Sequence, residues 1–414
     1  MLLETSIKGT ETIETWGRKL FLRLCTTLAG GELVIREGSE TFYLGQPSRD
    51  GLKAEILIHH PGAYRRLLTG GSIGAAEAFM DGDWEADNLT RLVQLLLRNR
   101  SQLDAMEGGL AKLAGALAKI WHEFNRNTKS GSRKNIAAHY DLGNEFFQLF
   151  LDSNLMYSSA MYVTGKETLE EASMSKLDRI CRKLDLKPED HLLEIGTGWG
   201  GMAIYAARHY GCRVTTTTIS AEQYKAAQER VQAGGVGDRV TVLKEDYRDL
   251  TGGYDKVVSI EMVEAVGHHY LNGYFNKINQ LLKPEGMALI QAITIEDRRY
   301  QQALRTVDFI KRYIFPGSFI PCVSVLTSSA AACGLRLFNL EDIGPSYART
   351  LQEWHSRFNA RLNEVRAQGF DERFIRMWRF YLSYCEGGFR ERAISNVQMT
   401  LVKPDNRREQ WLND

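Results

Sequence analysis

The chain has 414 residues, of which 43% are hydrophobic and 25% are charged, and its formal net charge is +1. This length suits two or three domains of an ordinary globular protein, and the near-neutral charge provides no overall field that would attract nucleic acid. The six cysteines are scattered without a CxxC pair. That spacing argues against a metal site or a disulfide framework and fits the reducing cytoplasm.

Residues 1–98 are predicted to form a first unit of mixed strands and helices. The pattern predicts a hairpin from strands at 32–36 and 41–44 around Gly38, a third strand at 54–59 and a loop at 70–74. Residues 89–97 are apolar enough for a buried helix. No stretch reaches the roughly 18 apolar residues of a spanning helix, so we expect any work on lipid to be done from the membrane surface.

Residues 99–135 differ in character from the unit before them. Apolar residues recur there at steps of three and four from Leu103 to Phe124, which predicts a helix with one apolar stripe. Residues 126–134 are basic and polar, as in a flexible linker. Two interpretations stay open, namely a helix that packs on its own domain and an amphipathic helix that lies on an anionic bilayer.

The remainder, 136–414, is predicted to be a doubly wound α/β domain, in which ligands bind at the carboxyl ends of the strands. Strands alternate with helices up to about residue 295, and a mostly helical, aromatic-rich stretch of about 300–395 precedes a final strand at Val397–Val402. The earlier strands are predicted at 191–195, 213–218, 239–243, 256–260 and 287–293.

A glycine-rich turn follows the first of these strands. The run from Glu194 through Gly196, Gly198 and Gly200 lets the backbone approach a nucleotide-like ligand and is typical of an S-adenosylmethionine (SAM) site. Polar groups at the ends of the next strands fit the same cofactor, since hydroxyls reach a ribose and an acid beside an aromatic ring suits an adenine. These groups are Thr218, Ile219, Ser220, Gln223, Asp246, Tyr247 and Arg248.

Several motifs together resemble the cyclopropane fatty acid synthase family, which includes the mycolic acid methyltransferases. The resemblance covers nearly the whole length. The motifs are Gly71–Gly74, Met80–Trp84, His139–Asn144, Tyr157–Ala160, Gly196–Gly201, Thr218–Gln223, Asp246–Leu250, Tyr313–Gly317 and Cys385–Arg390.

The resemblance implies a Rossmann-like class I SAM-dependent methyltransferase fold with a smaller N-terminal α+β lipid-binding domain and a helical acyl-binding insertion. It implies SAM-dependent transfer of a one-carbon unit to a cis double bond in unsaturated phospholipid chains, of the cyclopropane-fatty-acyl-phospholipid synthase type. The enzyme would be a bacterial homodimer on the inner face of the membrane. Tyr157, Ser158 and Trp199 would then join the cofactor site. Tyr140, Tyr313 and Phe315 would line the substrate site.

In this family a bound bicarbonate is the base, and the resemblance implies contacts from Glu264, Tyr347 and the Ile293 backbone. Two positions depart from the family pattern, because its cysteine is Ser159 here and its histidine is Gln291. Serine still donates a hydrogen bond, whereas glutamine offers only a neutral amide. We therefore expect bicarbonate binding to weaken or to change its geometry.

Glu261 stands where the family commonly has a small residue. We hypothesise that it fills part of the bicarbonate pocket or is itself the base, with the two carboxylates on one side of a helical turn; the alternative is an ordinary surface turn. Removal of the proton from the new methyl group gives a cyclopropane, and removal from a chain carbon gives a methyl-branched unsaturated chain. Cys385 matches a cysteine considered catalytic in the family, although a buried structural thiol fits the chemistry better.

Two rival functions stay open beside this one. A methyltransferase for a soluble substrate would not bind liposomes. A catalytically inactive SAM-binding or lipid-binding protein would bind SAM without turnover, and the changes at Ser159 and Gln291 motivate it.

Overall fold

The computed structural model describes residues 15–101 and 142–409, which divide into two compact units. The described part of the first unit holds 15–101, 306–314 and 359–393, and that of the second holds 142–305, 315–358 and 394–409. The segments 306–314 and 359–393, which were predicted as part of the catalytic domain, thus group with the first unit. The predicted amphipathic helix and basic linker lie outside the described residues from 102 onward.

The first unit contains a four-stranded sheet. Its strands are β1 (Gly31–Glu37), β2 (Glu40–Gln46), β3 (Lys53–Ile58) and β4 (Trp84–Ala86), in the order β2-β1-β3-β4. The predicted hairpin and third strand are confirmed, and the turn between β1 and β2 uses Gly38 at φ 55°, a left-handed conformation that suits glycine. The predicted loop at 70–74 is wrong, because a helix already begins at Gly71.

Helices surround this sheet. The predicted buried helix spans Leu89–Arg98, and the Asn88 side chain caps it by accepting a hydrogen bond from the Arg91 amide. Its Thr90 hydroxyl donates to Glu386 at 2.9 Å, which ties it to the helix Glu372–Arg390. The other helical segments of this unit are 15–25, Gly62–Thr69, Gly71–Met80, Leu362–Ala367 and the π-helix Ile310–Ile314.

A seven-stranded sheet forms the centre of the second unit. Its strands are β5 (His191–Ile195), β6 (Arg213–Thr217), β7 (Val240–Leu243), β8 (Tyr254–Ile260), β9 (Leu282–Ile295), β10 (Arg336–Asp342) and β11 (Ile394–Val402), in the order β10-β11-β9-β8-β5-β6-β7. The five strands from β9 to β7 are parallel, whereas β11 runs antiparallel to β9 and β10 antiparallel to β11. All six predicted strands are present.

Both faces of this sheet are covered by apolar side chains. Adjacent residues such as Leu192 and Leu193, or Val257 and Val258, point into two different core clusters. Such buried faces give near-continuous apolar runs, which is why these strands are visible in the sequence. The α-helices of this unit are Asn144–Gln148, Leu169–Leu184, Gly201–Tyr210, Ala221–Ala233, Leu271–Leu281, Asp297–Arg305, Val323–Ala332 and Gly344–Ala360.

The strand order places a crevice where the chain reverses direction across the sheet. It runs from β5 outward through β6 to β7 and then returns to β8 on the other side of β5. Ligands of open α/β sheets bind at such a switch point, beyond the carboxyl ends of the strands. The glycine turn after β5 and Glu261 after β8 both lie at this edge. Within the described residues, no helix is long and apolar enough to cross a membrane.

Candidate active site

The glycine turn after β5 has the backbone conformation that a cofactor turn requires. Gly196, Gly198 and Gly200 have φ values of 104°, 52° and 85°, which other residues adopt only with strain. A Cβ added at Gly198 would meet no atom within 4 Å, so open space lies beside the backbone there. The helix Gly201–Tyr210 begins directly afterwards. This open turn at a helix N-terminus fits SAM.

The polar side chains that follow β6 and β7 form hydrogen bonds with one another that the sequence does not indicate. The Thr218 hydroxyl donates to Gln223 Oε1 at 2.9 Å, and Ser220 caps the helix Ala221–Ala233. Both carboxylate oxygens of Asp246 accept from the Arg248 guanidinium, at 2.8 and 2.6 Å. Asp246 and Arg248 thus hold each other in place. Their contacts with SAM, and those predicted for Ile219 and Tyr247, stay predictions.

Two buried titratable groups lie near the turn. Glu194 accepts a hydrogen bond from the Thr216 hydroxyl at 2.7 Å, and burial raises its pKa to about 8. Lys176 is fully buried and donates to the Ser158 hydroxyl at 2.8 Å, and burial lowers its pKa to about 8. Sequence analysis missed Lys176. Its position on the apolar face of the helix Leu169–Leu184, next to Leu177, is the signal that marks it.

Aromatic rings connect the cofactor turn to the far side of the site. Trp199 packs on Phe147 at 5.0 Å and donates its indole N–H to Asn144 at 2.6 Å. Phe147 meets Tyr157 at 5.2 Å, and Tyr157 stacks on Trp354 at 5.3 Å. Trp354 then meets Tyr347 edge-on at 6.1 Å, and Phe315 lies 6.4 Å from Tyr157. Aromatic faces stabilise cationic centres. Sequence analysis missed Trp354, which is an ordinary core residue by its pattern.

Three predicted residues lie outside the part of the second unit that the structure describes. Tyr140 lies outside the described residues. Tyr313 and Cys385 belong to the first unit, where Tyr313 donates its hydroxyl to Glu77 at 2.5 Å. Burial raises the pKa of the Cys385 thiol well above its usual value, so the thiol stays protonated at neutral pH. A nucleophilic role does not suit such a thiol.

Four donors surround the Glu261 carboxylate. Its Oε1 accepts from the Ser159 amide at 2.9 Å, the Gln291 side chain at 2.8 Å and the Asn396 side chain at 2.6 Å. Its Oε2 accepts from the Tyr347 hydroxyl at 2.8 Å. Glu261 is therefore bound as an anion would be, and the surface-turn alternative for it is wrong.

Two expectations about this cluster need correction. Glu261 and Glu264 do not share a helical turn, because Glu261 has φ 49° and the short 3-10 helix begins only at Val263. Left-handed backbone at a glutamate is uncommon, and such strain occurs at functional sites. The Ser159 hydroxyl donates to the Ala160 carbonyl at 2.8 Å, so Ser159 contributes its backbone N–H and not its side chain.

Glu264 has fewer hydrogen-bond donors around it than Glu261. Its Oε1 accepts from the Ile293 amide at 2.5 Å, but its buried Oε2 has no hydrogen-bond partner among the described residues. Burial, reinforced by the charge of Glu261, raises the pKa of Glu264 to about 8. At neutral pH this shift favours the protonated form of Glu264. Two neighbouring carboxyl groups in such different environments are typical of a divided acid and base assignment.

The same contacts decide whether a bicarbonate ion fits. The groups that the family resemblance assigned to it are occupied, because Tyr347 and Gln291 bind Glu261 while the Ile293 amide binds Glu264. The Glu261 carboxylate thus accepts hydrogen bonds from side chains that the resemblance assigns to the external anion. The residues present therefore do not fit bicarbonate. Sequence analysis missed Asn396, although the alternation of polar residues along β11 is a signal for it.

Comparisons with known proteins place this site in a family. The family model described as mycolic acid cyclopropane synthetase matches residues 127–399. The chain is 36% identical over 392 residues to the tuberculostearic acid methyltransferase UfaA1 of Mycobacterium tuberculosis, which covers 92% of this chain and 90% of the relative. It is 39% identical over 355 residues to the cyclopropane-fatty-acyl-phospholipid synthase of Escherichia coli, which covers 84% and 88%.

Solved structures agree with this assignment. The cyclopropane synthase MmaA2 of Mycobacterium tuberculosis matches with a TM-score of 0.62 and 30% identity, over 66% of this chain and 98% of that one. The same four values hold for the mycolic acid cyclopropane synthase CmaA1 in complex with S-adenosylhomocysteine and CTAB. The chain therefore belongs to the mycolic acid cyclopropane synthetase family and is a SAM-dependent methyltransferase of the lipid-alkylating kind.

Proposed function

We propose that this enzyme methylates the cis double bond of unsaturated phospholipid acyl chains and releases a methyl-branched, still unsaturated chain, with Glu261 as the base. The substrate class is inferred from the relatives, whose names specify fatty-acyl phospholipids and tuberculostearic acid. The enzyme would work on the inner face of the membrane as a homodimer. The observation that carries the proposal is the Glu261 carboxylate, which accepts hydrogen bonds from four donors. Two of them, the Tyr347 hydroxyl and the Gln291 amide, are side chains that the resemblance assigns to the anion.

The chemistry needs an alkylating group, a dry site and a base. SAM, when bound on the glycine turn, supplies the methyl group that the π electrons of the alkene attack. The aromatic rings of Tyr157, Trp354 and Tyr347 exclude water and stabilise the positive charge on the lipid chain. Glu261 then takes a proton, and the electron pair of the broken C–H bond neutralises the cation. Glu264, which is protonated, supports the site without competing for that proton.

The position of the base decides the product. Ring closure requires the base to reach the carbon that has just been transferred. A carboxylate anchored by four donors takes its proton only from the carbon that lies against it, and we assign that carbon to the acyl chain. The C–H electron pair then becomes a new double bond in the chain, next to the branch.

A cyclopropane product is the second candidate, and the 39% identity with the cyclopropane-fatty-acyl-phospholipid synthase of Escherichia coli favours it. The two products have the same mass, since each adds one methylene unit to the substrate. They differ in whether a double bond remains, so a reagent that reacts with double bonds separates them.

The test is mass spectrometry, with derivatisation of double bonds, on lipids from a bacterial host without its own cyclopropane synthase. We expect a gain of one methylene unit with one double bond still present in the chain. The same gain without a double bond would establish the cyclopropane product, and no gain would contradict both candidates. Glu261→Gln should lose turnover by about 10²- to 10⁴-fold, the usual contribution of a general base. The matched variant Glu264→Gln, which resembles a protonated acid, should lose far less.

A further inference from the structure

A row of three hydrogen bonds connects the charged Nζ of Lys183 to the Glu261 carboxylate. Lys183 donates to Gln398 Oε1 at 2.9 Å, Gln398 Nε2 donates to Gln291 Oε1 at 3.1 Å, and Gln291 Nε2 donates to Glu261 Oε1 at 2.8 Å. Both glutamines have 0% exposure. Burying an amide group costs folding free energy unless the amide forms hydrogen bonds. The bonds of this row therefore offset the cost of burying the two glutamines.

Strand pairing in the second unit brings the two glutamines of this row next to each other. Gln291 on β9 and Gln398 on β11 are direct partners in the antiparallel pair. Lys183 is on the helix Leu169–Leu184, and its Nζ also pairs with Glu341 at 2.5 Å. Arg179 pairs with the same carboxylate at 3.2 Å, so Glu341 has a second cation beside it.

The two ends fix the direction of the row. An ammonium group only donates and an ionised carboxylate only accepts, whereas each amide has a donor end and an acceptor end. Lys183 therefore turns the Gln398 oxygen toward itself, and the Gln398 nitrogen must face the Gln291 oxygen. Gln291 is left with its nitrogen toward Glu261. Reversing either amide would place two acceptors, or two donors, against each other in a buried site.

From this asymmetry we propose that Lys183 and Gln398 are positioning residues that select Oε2 of Glu261 as the atom that receives the proton. Oε1 accepts three fixed N–H groups, from Ser159, Gln291 and Asn396. Oε2 accepts one hydroxyl, that of Tyr347, and a hydroxyl rotates to accept in its turn. The new O–H bond thus forms at Oε2, while the C–H electron pair stays with the lipid. The inference rests on the proposed role of Glu261 as the base.

The experiment reverses the row and then restores it. In Gln398→Glu a carboxylate beside Lys183 stays ionised and presents an acceptor to Gln291, whose amide must turn its oxygen toward Glu261. We expect kcat to fall roughly 100-fold, the scale of a misplaced reacting group, with the KM for SAM unchanged. Adding Lys183→Met removes the cation, so the buried acid introduced at position 398 becomes neutral and donates to Gln291 again. The double variant should regain about tenfold of the lost kcat, since one restored charge-assisted bond is worth about 1.4 kcal/mol.

Two controls separate this device from simple packing. Thr400→Val changes a buried residue on the same strand whose hydroxyl has no partner among the described residues, and it should leave kcat unchanged. Glu341→Gln weakens the ion pair of Lys183 but leaves its bond to Gln398, and it should also keep kcat. Thermal melting of each variant reports whether it is folded. If Gln398→Glu is unfolded, Gln398→Met takes its place, with an expected loss of about tenfold in kcat at constant KM.

The outcomes distinguish the inference from the function on which it rests. Wild-type kcat in Gln398→Glu, or in Gln398→Met where that variant replaces it, would overturn the positioning role. A double variant no better than the single one would do the same. Full activity in Glu261→Gln would instead overturn the base, and with it the proposed function. If Glu261→Gln loses activity while the Gln398 variants keep full activity, the role of Glu261 as the base stands. Only the positioning role of Lys183 and Gln398 is then overturned.

Discussion

At the scale of single residues, the site depends on two glutamates that are three positions apart in sequence and differ in environment. Glu261 is surrounded by four donors, whereas Glu264 has one donor and a buried, unpartnered oxygen among the described residues. The sharp backbone at Glu261, with φ 49°, separates the two side chains. Environment therefore assigns different chemistry to the same residue type.

The raised pKa of Glu264 predicts a pH-dependent stability. Its pKa is about 8 in the folded chain against an ordinary value of 4.5, so between these values the folded state binds a proton that the unfolded state has released. Stability therefore falls as the pH rises through this range, by at most about 1.4 kcal/mol per pH unit, and is level above it. Glu264→Gln has no such proton. The difference in free energy of unfolding, variant minus wild type, should rise from about pH 5 to about pH 8.

Denaturant unfolding at several pH values measures this difference. Glu229→Gln, on the exposed side of the helix Ala221–Ala233, is the control for the loss of one surface carboxylate. A constant difference between Glu264→Gln and wild type across the range would show that Glu264 is not protonated in the folded chain.

At the scale of elements, the parallel strands and the glycine turn were predictable, because buried strands give apolar runs and positive φ selects glycine. β10 was missed because its half-exposed residues, Arg336 to Asp342, give no such run. Within the site, the residues at the strand ends were predictable, because they belong to recognisable sequence motifs. The partners of Glu261 were harder to predict from the sequence. Asn396, for example, is 135 residues away along the chain and reaches Glu261 only because β11 pairs with β9.

The strand–turn–helix element makes its own prediction about SAM. In Gly198→Ala the new methyl group enters the open side of the turn, at φ 52°, where a left-handed residue costs about 1–2 kcal/mol. We expect the Kd for SAM, measured by calorimetry, to rise about tenfold or more. Gly235→Ala is a matched control, because Gly235 also has positive φ, 66°, and open space around its Cβ position. Equal SAM affinity in the two variants would contradict the cofactor role of the turn.

At the scale of the whole molecule, the proposed function requires the catalytic unit to reach a lipid within a membrane. Two compact units are present, and the basic stretch that would attract anionic lipid, 126–134, lies outside the described residues. Its four basic residues are Arg126, Lys129, Arg133 and Lys134. Basic residues near an anionic surface contribute roughly 1 kcal/mol each.

Vesicle binding tests this requirement directly. The protein should co-sediment with vesicles that contain anionic phospholipid and dissociate at high salt, because screening weakens the attraction. Replacing each basic residue of the stretch by glutamine should lower the partition coefficient about fivefold, which is about 1 kcal/mol. Replacement of Lys225 and Arg239, which lie in the second unit, is the control for net charge. Equal losses per replaced residue in both sets would point to overall charge and not to a membrane-binding stretch.

The central claim is that Glu261 replaces an external anion as the base, and turnover of purified enzyme in carbonate-free buffer tests it most directly. Glycine is the informative substitution, since it suits φ 49° and leaves the donors of Ser159, Gln291, Asn396 and Tyr347 around an empty space. We predict that added bicarbonate leaves the wild-type rate unchanged, and that Glu261→Gly is inactive until bicarbonate or acetate is added. A wild-type enzyme that needs bicarbonate, or a Glu261→Gly variant that is fully active without any added anion, would contradict the account.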